Sequence, residues 1–367
     1  MEVTRTVPPA DAAHPRLAVL ADDLTGAADA AAPFALRGLD VSVAPTATVP
    51  NAVDVLALVT DNRWRPADEA AGRMHAAVER ARAWGAERLF VKIDSTLRGR
   101  VRAEVATALG AWGSGHAVAT PAFPAQGRTV HRGALLVHGE TTVADIGDHF
   151  PAGVATMDAR TPDDLLGIAR RIVDDGAVAV GSGGLARAVA EVLVRAPGPR
   201  RVPELRAVGV LLVVGTTHAA TQNQVAALLA AGGERIVVDS SAPWPVDAAA
   251  SALRDGGRVV VTSRVDHDVP VDSPEAAELA KRLARVVAAI VAGAPSVGLV
   301  LTGGATALAV ATALGAAEFR LLSEVTEGLP LGELVIGDRR IPTVTKSGGF
   351  GAADSLRHAA EVLEECA

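Results

Sequence analysis

The chain has 367 residues, of which 49% are hydrophobic and 21% charged, and its formal net charge at pH 7 is −7. This ordinary globular composition excludes disordered and fibrous classes, and the acidic balance argues against a nucleic-acid partner, since phosphate backbones require concentrated lysine and arginine. The length predicts two domains or one large one. The single cysteine, Cys366, can close no intrachain disulfide, which fits a reducing cytoplasm.

In chain order, the first half begins with residues 1–15, whose prolines and acids predict a flexible N-terminal arm. Strand-like and helix-like segments then alternate. The predicted strands are 17–20, 41–44, 55–60, 89–93, 117–119 and 177–180. The predicted helices are 27–37, 66–84, 101–109 and 162–175, the last capped by Thr161 or Asp163. Residues 121–150, rich in glycine, histidine and threonine, predict mostly loop.

Residues 196–203 contain three prolines and predict a linker, after which the alternation begins again. The predicted strands of the second half are 208–214, 235–238, 258–262, 297–301 and 341–345, and the helices are 218–231, 274–292, 306–314 and 354–365. Residues 286–317 carry no charge, but Pro295 and the Gly303–Gly304 pair interrupt them. Each remaining piece is shorter than the roughly 20 residues of a membrane span, so we expect buried core.

Alternating strands and helices predict parallel strands joined by crossover helices. The expected fold is therefore α/β, with two lobes of mostly parallel sheet and an active-site cleft between them. The expected lobes are residues 16–200 and residues 201–367.

Residues 91–99, VKIDSTLRG, have the composition of a site rather than of a core. A short apolar strand is followed there by Asp94, Ser95 and Arg98. In an open α/β sheet, ligands bind outside the carboxyl ends of the strands, which is where these side chains would lie.

Asp22, Asp23 and Thr25 follow the first predicted strand and precede the first helix. One acid could simply cap that helix. Two adjacent acids with a hydroxyl exceed what a cap requires, which favours a function for at least one. Further along the chain, the turn at residues 121–129 offers Gln126 and Arg128 as donors for a carboxylate, or is only a proline-rich turn.

Three turns of glycine and hydroxyl residues follow predicted strands in the second half: VGTTH at 214–218, LTGGAT at 301–306 and TKSGGFG at 345–351. One such turn alone would be an ordinary connection. Three together favour a phosphate cradle, to which Lys346 would add a mobile positive charge. The chain contains neither GxxxxGK[ST] nor a strand–turn–helix GxGxxG. A fourth cluster, GSGG at 181–184, is explained equally well by a phosphate turn or by tight packing.

Six segments together resemble the four-carbon acid sugar kinases, in the same order along the chain from about residue 16 to 358. They are ADDLTGAADAA from Ala21, KIDSTLRGRVRAE from Lys92, PAFPAQGRT from Pro121, GSGGLARAVA from Gly181, LTGGATALAV from Leu301 and TKSGGFG from Thr345.

The resemblance implies an ATP-dependent kinase that phosphorylates a terminal hydroxyl of a tetronate such as threonate, erythronate or a 3-oxo-tetronate, with Mg²⁺ at the phosphates. The first lobe would bind the sugar acid and the second the nucleotide. The implied catalytic residues are Asp22, Asp23 and Asp94, and the implied substrate-binding residues are Thr25, Lys92, Ser95, Arg98, Gln126 and Arg128. The implied nucleotide-binding residues are Thr216, His218, Gly303, Gly304, Ala305, Thr306, Lys346, Gly348 and Gly349.

Two departures from the family pattern keep an alternative open. Ala305 stands where members usually carry an acid, and Thr216, Thr217 and His218 replace a serine-rich turn. The alternative is a divergent kinase-like protein that acts on another small hydroxy acid, or that binds ligand without turnover. The expected partners are a sugar acid and a nucleotide, with no nucleic acid and no membrane, and a homodimer is a further expectation.

Overall fold

A computed structural model of the chain describes residues 15–46, 50, 52–63, 65–194, 198, 206–230, 232, 234–238, 244–263 and 273–365. The predicted N-terminal arm apart from Pro15, the predicted linker apart from Gly198, and Cys366 lie outside the described residues.

The described part of the first lobe alternates strands with helices. Its strands are β1 (Leu17–Ala21), β2 (Val41–Ala44), β3 (Val55–Val59), β4 (Arg88–Lys92), β5 (Ala117–Thr120), β6 (Arg128–His131), β7 (Ala134–Val137), β8 (Glu140–Val143), β9 (Val154–Thr156) and β10 (Val178–Gly181). Its helices are α1 (Leu24–Ala35), α2 (Ala67–Trp84), α3 (Val101–Trp112), α4 (Pro162–Asp175) and α5 (Gly183–Leu193).

The described part of the second lobe continues the alternation and then forms a meander. Its strands are β11 (Gly209–Val214), β12 (Glu234–Val238), β13 (Arg258–Ser263), β14 (Val297–Thr302), β15 (Glu318–Glu324), β16 (Pro330–Ile336) and β17 (Arg339–Lys346). Its helices are α6 (Ala219–Ala230), α7 (Val246–Arg254), α8 (Pro274–Gly293), α9 (Gly304–Ala313) and α10 (Ser355–Glu365).

One continuous sheet runs through both lobes, in the order β12-β13-β11-β14-β17-β16-β15-β2-β3-β1-β4-β10-β5-β9. Each end of this sheet is parallel, as expected for a two-lobed α/β fold. The antiparallel meander β15–β16–β17 lies in the middle, and β15 pairs antiparallel with β2. The lobes are therefore joined by backbone hydrogen bonds across β15 and β2.

Helix α1 lies over this junction, where it contacts β15, β16 and α9. Every residue of α1 is buried, because its sequence LTGAADAAAPFA is small and apolar on all sides. Its single ionisable side chain is Asp29. Beneath it, Ser42 of β2 donates a hydrogen bond of 2.9 Å to the carboxylate of Glu318 of β15.

Strands β1 and β14 run in opposite senses along the sheet because antiparallel pairs separate them. The right-handed twist of a sheet rotates each strand by about 20–25° from its neighbour. Over the six pairs between β1 and β14, a rotation of that size would offset most of this reversal. Turns from both lobes consequently border the same cavity.

The prediction of mostly loop at residues 121–150 is wrong, since β6, β7 and β8 form a separate antiparallel sheet. Two-residue turns join its strands, at Arg132–Gly133 and His138–Gly139, and all four residues have positive φ. This is the geometry of tight hairpin turns, for which Asn-Gly is the usual sequence signal. The first positions of these turns hold arginine and histidine instead of asparagine, so the sequence did not predict the hairpins.

The other predicted elements are present, with boundaries shifted by a few residues, and the structure adds β9, α5, α7, β15 and β16. Thr161 caps α4 through a reciprocal pair of hydrogen bonds with Asp164, as one of the two predicted caps. The uncharged residues 286–317 form the end of α8, β14 and α9. Within the described ranges, no helix combines the length and the apolar character needed to cross a membrane.

Candidate active site

A cavity of about 320 Å³ lies between the two lobes. The turns after β1 and β4 border it on one side, and those after β11, β14 and β17 border it on the other. Most of the predicted site residues line it: Asp22, Asp23, Thr25, Lys92, Asp94, Ser95, Arg98, Arg128, Thr216, His218, Gly303, Gly304, Ala305, Thr306, Gly348 and Gly349. Gln126 and Lys346 lie outside this lining.

Asp23 is the helix cap of α1, as one interpretation of this acid expected, and it also lines the cavity. Its Oδ1 accepts hydrogen bonds from the Gly26 backbone N–H at 2.7 Å and from the Thr25 hydroxyl at 2.8 Å. Its Oδ2 is 2.8 Å from the guanidinium of Arg63. One oxygen therefore starts α1 while the other belongs to the site.

Arg63 is the main site residue that the sequence did not reveal. Its Nη2 lies 2.6 Å from Oδ2 of Asp22, and its Nε donates to the same oxygen at 2.7 Å. Arg63 follows β3, which pairs with β1 in parallel, so both strand ends face the same cavity. The sequence pattern that could have indicated Arg63 as a site residue is a basic residue shortly after a buried strand.

The two acids bound by Arg63 differ in their pKa values. Burial raises the pKa of Asp22 and outweighs the opposing charge of Arg63. Burial also acts on Asp23, but there the charge of Arg63 and the Gly26 N–H bond prevail and lower its pKa. Asp22 is consequently the better proton acceptor of the pair.

Asp94 organises the turn after β4. Its carboxylate accepts the Thr96 backbone N–H at 2.9 Å, and Arg98 binds it through Nη2 at 2.6 Å and Nε at 3.2 Å. Burial opposes ionisation, but the hydrogen bond and charge of Arg98 hold the pKa of Asp94 well below its usual range. Leu97 adopts φ of 60°, a left-handed conformation that costs a non-glycine residue about 1 kcal/mol or more. The turn thus presents Arg98 in a fixed orientation.

The three glycine turns of the second lobe pack against one another. A Cβ atom at Gly215 would overlap the hydroxyl of Thr306, and one at Gly348 would lie 2.6 Å from the hydroxyl of Thr216. These positions therefore require glycine for close approach. All three turns border the same cavity, and the phosphate cradle stays a prediction.

The start of α9 meets the acids of the first lobe directly. A Cβ atom at Gly304, the first residue of α9, would overlap the carboxyl carbon of Asp23. Gly303 precedes the helix with φ of 98° and supplies no side-chain cap. The first amides of α9 are thus available for an anion, beside the acids that could hold a reacting hydroxyl.

Lys346 does not provide the mobile charge expected of it. Its side chain is fully buried, and Nζ donates to the Thr221 hydroxyl at 2.9 Å and to the carbonyls of Ser347 and Phe350 at 3.0 Å each. Burial lowers its pKa to about 7. Lys346 instead fixes the backbone of the turn that carries Gly348 and Gly349.

Arg128 and Gln126 connect the lobes in different ways. Arg128 is buried, with its guanidinium 5.4 Å from the ring centre of Phe350, and Phe123 packs edge-on against that ring. The Gln126 side chain donates to the carbonyl of Glu327 at 3.3 Å and contributes nothing to the cavity wall. Of the two predicted carboxylate donors in this turn, only Arg128 borders the cavity.

Among the described residues, no group of three or more His, Cys, Asp or Glu could hold a metal by itself. Mg²⁺ in phosphoryl-transfer sites is commonly held by one or two carboxylates together with substrate phosphates and water. Asp23, whose carboxyl group lies against the first residue of α9, fits that pattern.

Fold and cavity define the class as a two-lobed α/β protein whose candidate site lies between the lobes. A family model described as the sugar-binding N-terminal domain matches residues 17–149. A second, described as the nucleotide-binding C-terminal domain, matches residues 211–356.

Curated relatives match along nearly the whole chain. A D-threonate kinase of Bordetella bronchiseptica is 35% identical over 96% of this chain and 98% of its own length. A D-threonate kinase of Cupriavidus necator is 32% identical over 95% and 98%, and a 3-oxo-tetronate kinase of Burkholderia multivorans is 28% identical over 98% and 100%. The chain belongs to the four-carbon acid sugar kinase family.

Solved structures support the fold. A Salmonella typhimurium LT2 protein superposes with a TM-score of 0.72 over 94% of this chain and 98% of its own, at 20% identity. A Haemophilus influenzae protein superposes with a TM-score of 0.67 over 94% and 100%, also at 20% identity. The two-lobed arrangement is therefore shared with proteins of quite different sequence.

Proposed function

We propose that the protein is an ATP-dependent kinase that phosphorylates a terminal hydroxyl of a four-carbon sugar acid, such as threonate, erythronate or a 3-oxo-tetronate. The observation that carries the proposal is the contact of Asp23 with Gly304, which brings the acids of one lobe to an uncapped helix start in the other. The names of the curated relatives support the same reaction. Residues 16–200 would bind the sugar acid and residues 201–367 the nucleotide.

Positioning is the main work of such a site, since phosphoryl transfer needs little covalent chemistry from the protein. Arg98 and Lys92 would hold the substrate carboxylate, the first as a fork and the second as a point charge. Asp22 would orient the attacking hydroxyl and accept its proton. The amides at Gly304 and the turn at Gly348 would stabilise the phosphates.

ATP and Mg²⁺ belong to the proposal. Asp23 would hold the ion together with the phosphates, and the charge of the ion would offset the charge of the transferred group. A cytoplasmic location, supported by the single cysteine, is a further part of the proposal.

We expect Asp94→Asn and Arg98→Ala each to weaken sugar-acid binding by about tenfold or more, because a charge-assisted hydrogen bond contributes about 1.5–3 kcal/mol. ATP affinity should stay within about twofold, since both residues lie in the first lobe. Calorimetric titration with each ligand measures this. Arg102→Ala, an exposed arginine of α3, is the matched control and should change neither. Loss of ATP binding instead would mean that the lobes are assigned in reverse.

The pH dependence of kcat should report on Asp22. The carboxylate must be ionised to accept a proton, so activity falls as pH drops through its pKa. Because burial raises that pKa, the acid limb should lie above the ordinary aspartate value of about 3.9. Asp23→Asn removes a neighbouring negative charge that raises the pKa of Asp22, so the limb should shift to lower pH. If the acid limb of the pH profile does not move in Asp23→Asn, the limb reports on a group other than Asp22.

One observation favours a second candidate function. Ala305, exposed within the cavity lining, stands where the family usually carries an acid, which supports a protein that binds sugar acid or nucleotide without turnover. Phosphorus NMR of a reaction with D-threonate separates the two. The kinase produces a new phosphomonoester coupled to a terminal CH₂, whereas the binding protein leaves only the ATP signals.

A further inference from the structure

Asp29 is an acid of the cavity wall that the proposed mechanism does not use. It lies in the middle of α1, is 4% exposed, and borders the cavity between the lobes. Alanines flank it in the sequence, and no other residue of α1 can ionise. The helix is otherwise apolar, so packing alone gives no reason for an acid at this position.

Both oxygens of Asp29 lie against the first residue of α5. A Cβ atom at Gly183 would overlap Oδ2 of Asp29 and lie 2.8 Å from Oδ1. Gly181 is constrained separately, since a Cβ there would lie 2.6 Å from Leu185 and 2.7 Å from the Thr120 carbonyl. Close packing therefore explains these two glycines of the GSGG cluster.

Within the part of the chain that the structure describes, the Asp29 carboxylate makes no hydrogen bond, although the charges of Lys92 and Arg187 act on it. The neighbouring Ser182 hydroxyl is already engaged, since it donates to the Ala122 carbonyl at 2.6 Å and accepts from the Gly184 N–H at 3.1 Å. Burial, opposed in part by the charge of Lys92, raises the pKa of Asp29 to about 7. Because Asp29 borders the cavity, its carboxylate is open to a hydrogen-bond donor of a ligand bound there.

We propose that Asp29 accepts a hydrogen bond from an internal hydroxyl of the sugar acid and selects substrates that carry that hydroxyl. The inference rests on the proposed function. The carboxylate of the substrate has Arg98, and the reacting hydroxyl has Asp22 and Asp23, so the substrate groups still open to Asp29 are the internal hydroxyls. Asp29 lies on the same wall, within the field of Lys92, which also acts on Asp22 and Asp23.

The test compares the affinities of wild type, Asp29→Ala and Asp29→Asn for D-threonate, 2-deoxytetronate and 3-deoxytetronate by calorimetry. A site built to bind a hydroxyl rejects an analogue without it strongly, so the wild type should bind one deoxy analogue at least about a hundredfold more weakly. In Asp29→Ala the affinity for D-threonate should fall to about the affinity for that deoxy analogue, so that the preference for the hydroxyl disappears. Asp29→Asn keeps an acceptor oxygen and should keep most of the preference.

Glu318→Gln is the matched control, because Glu318 is a buried acid at the lobe junction outside the cavity lining. It should leave every ratio of affinities unchanged. Asp29→Ala places an alanine among alanines, so it should fold, and its Tm confirms this. A merely structural role for Asp29 would lower all affinities in proportion.

The inference is overturned if Asp29→Ala keeps the wild-type preference for D-threonate over both analogues. The affinities are measured without ATP, so they are independent of catalysis. A wild type that binds D-threonate with the expected preference but forms no ADP would refute the kinase and leave Asp29 as a hydroxyl-binding residue. A wild type that binds none of the three acids would refute both.

Discussion

Replacing Gly304 with alanine should lower kcat by about a thousandfold, the scale expected when a preorganised anion site loses its donors. The added Cβ would overlap the carboxyl carbon of Asp23, so either the start of α9 or the acid must move. In both cases the phosphoryl group and the attacking hydroxyl are held apart. Sugar-acid affinity should change little, because Arg98 and Lys92 are untouched.

Gly72→Ala is the control for this variant. Gly72 lies inside α2, where a Cβ atom would meet nothing within 4 Å, so alanine should leave kcat unchanged and stabilise the helix slightly. Steady-state kinetics of both variants, with calorimetry for the sugar acid, gives the comparison. If Gly304→Ala kept the wild-type kcat, the contact between α9 and Asp23 would not be where the reacting groups are positioned.

Replacing Arg63 with methionine should both inactivate and destabilise the protein. The guanidinium bridges two buried carboxylates, and removal of one partner from a buried ion pair costs about 3–5 kcal/mol, because the remaining charges lose their compensation. Adding Asp22→Asn removes one of those charges. The double variant should therefore recover part of the free energy of unfolding while remaining inactive.

Urea unfolding of the single and double variants measures this effect. Arg357→Met is the control, since Arg357 pairs with Asp354 and Glu361 at the surface of α10 and its removal should cost about 1 kcal/mol or less. Equal losses in Arg63→Met and Arg357→Met would show that Arg63 does not compensate the two buried acids.

Much of the site followed from the sequence because parallel sheets place functional side chains at strand ends. Asp22, Asp94 and Gly304 each follow a buried apolar run, and that pattern can be recognised from the sequence alone. The alternation of strands and helices also predicted two lobes. It could not show that β15 joins β2, because this pairing connects residues far apart in the chain.

Other features depended on side-chain environments that no local pattern shows. Lys346 looks like a free cation in the sequence, and only the packed turn around it reveals carbonyl partners in place of solvent. Arg63 is one of several arginines near its position, and its role depends on β3 lying beside β1. In the sequence Asp29 looks like an ordinary polar residue of a helix. Its burial follows only from the structure, in which α1 is buried on all sides.

The most direct test of the account is the release of ADP from ATP and Mg²⁺ in the presence of a panel of tetronates. We expect ADP to form with at least one of threonate, erythronate and 3-oxo-tetronate, in equal amount to a phosphorylated sugar acid, and Gly304→Ala to abolish it. If no member of the panel raised ADP release above the rate without sugar acid, for protein that is folded and binds ATP, the assignment as a tetronate kinase would be contradicted.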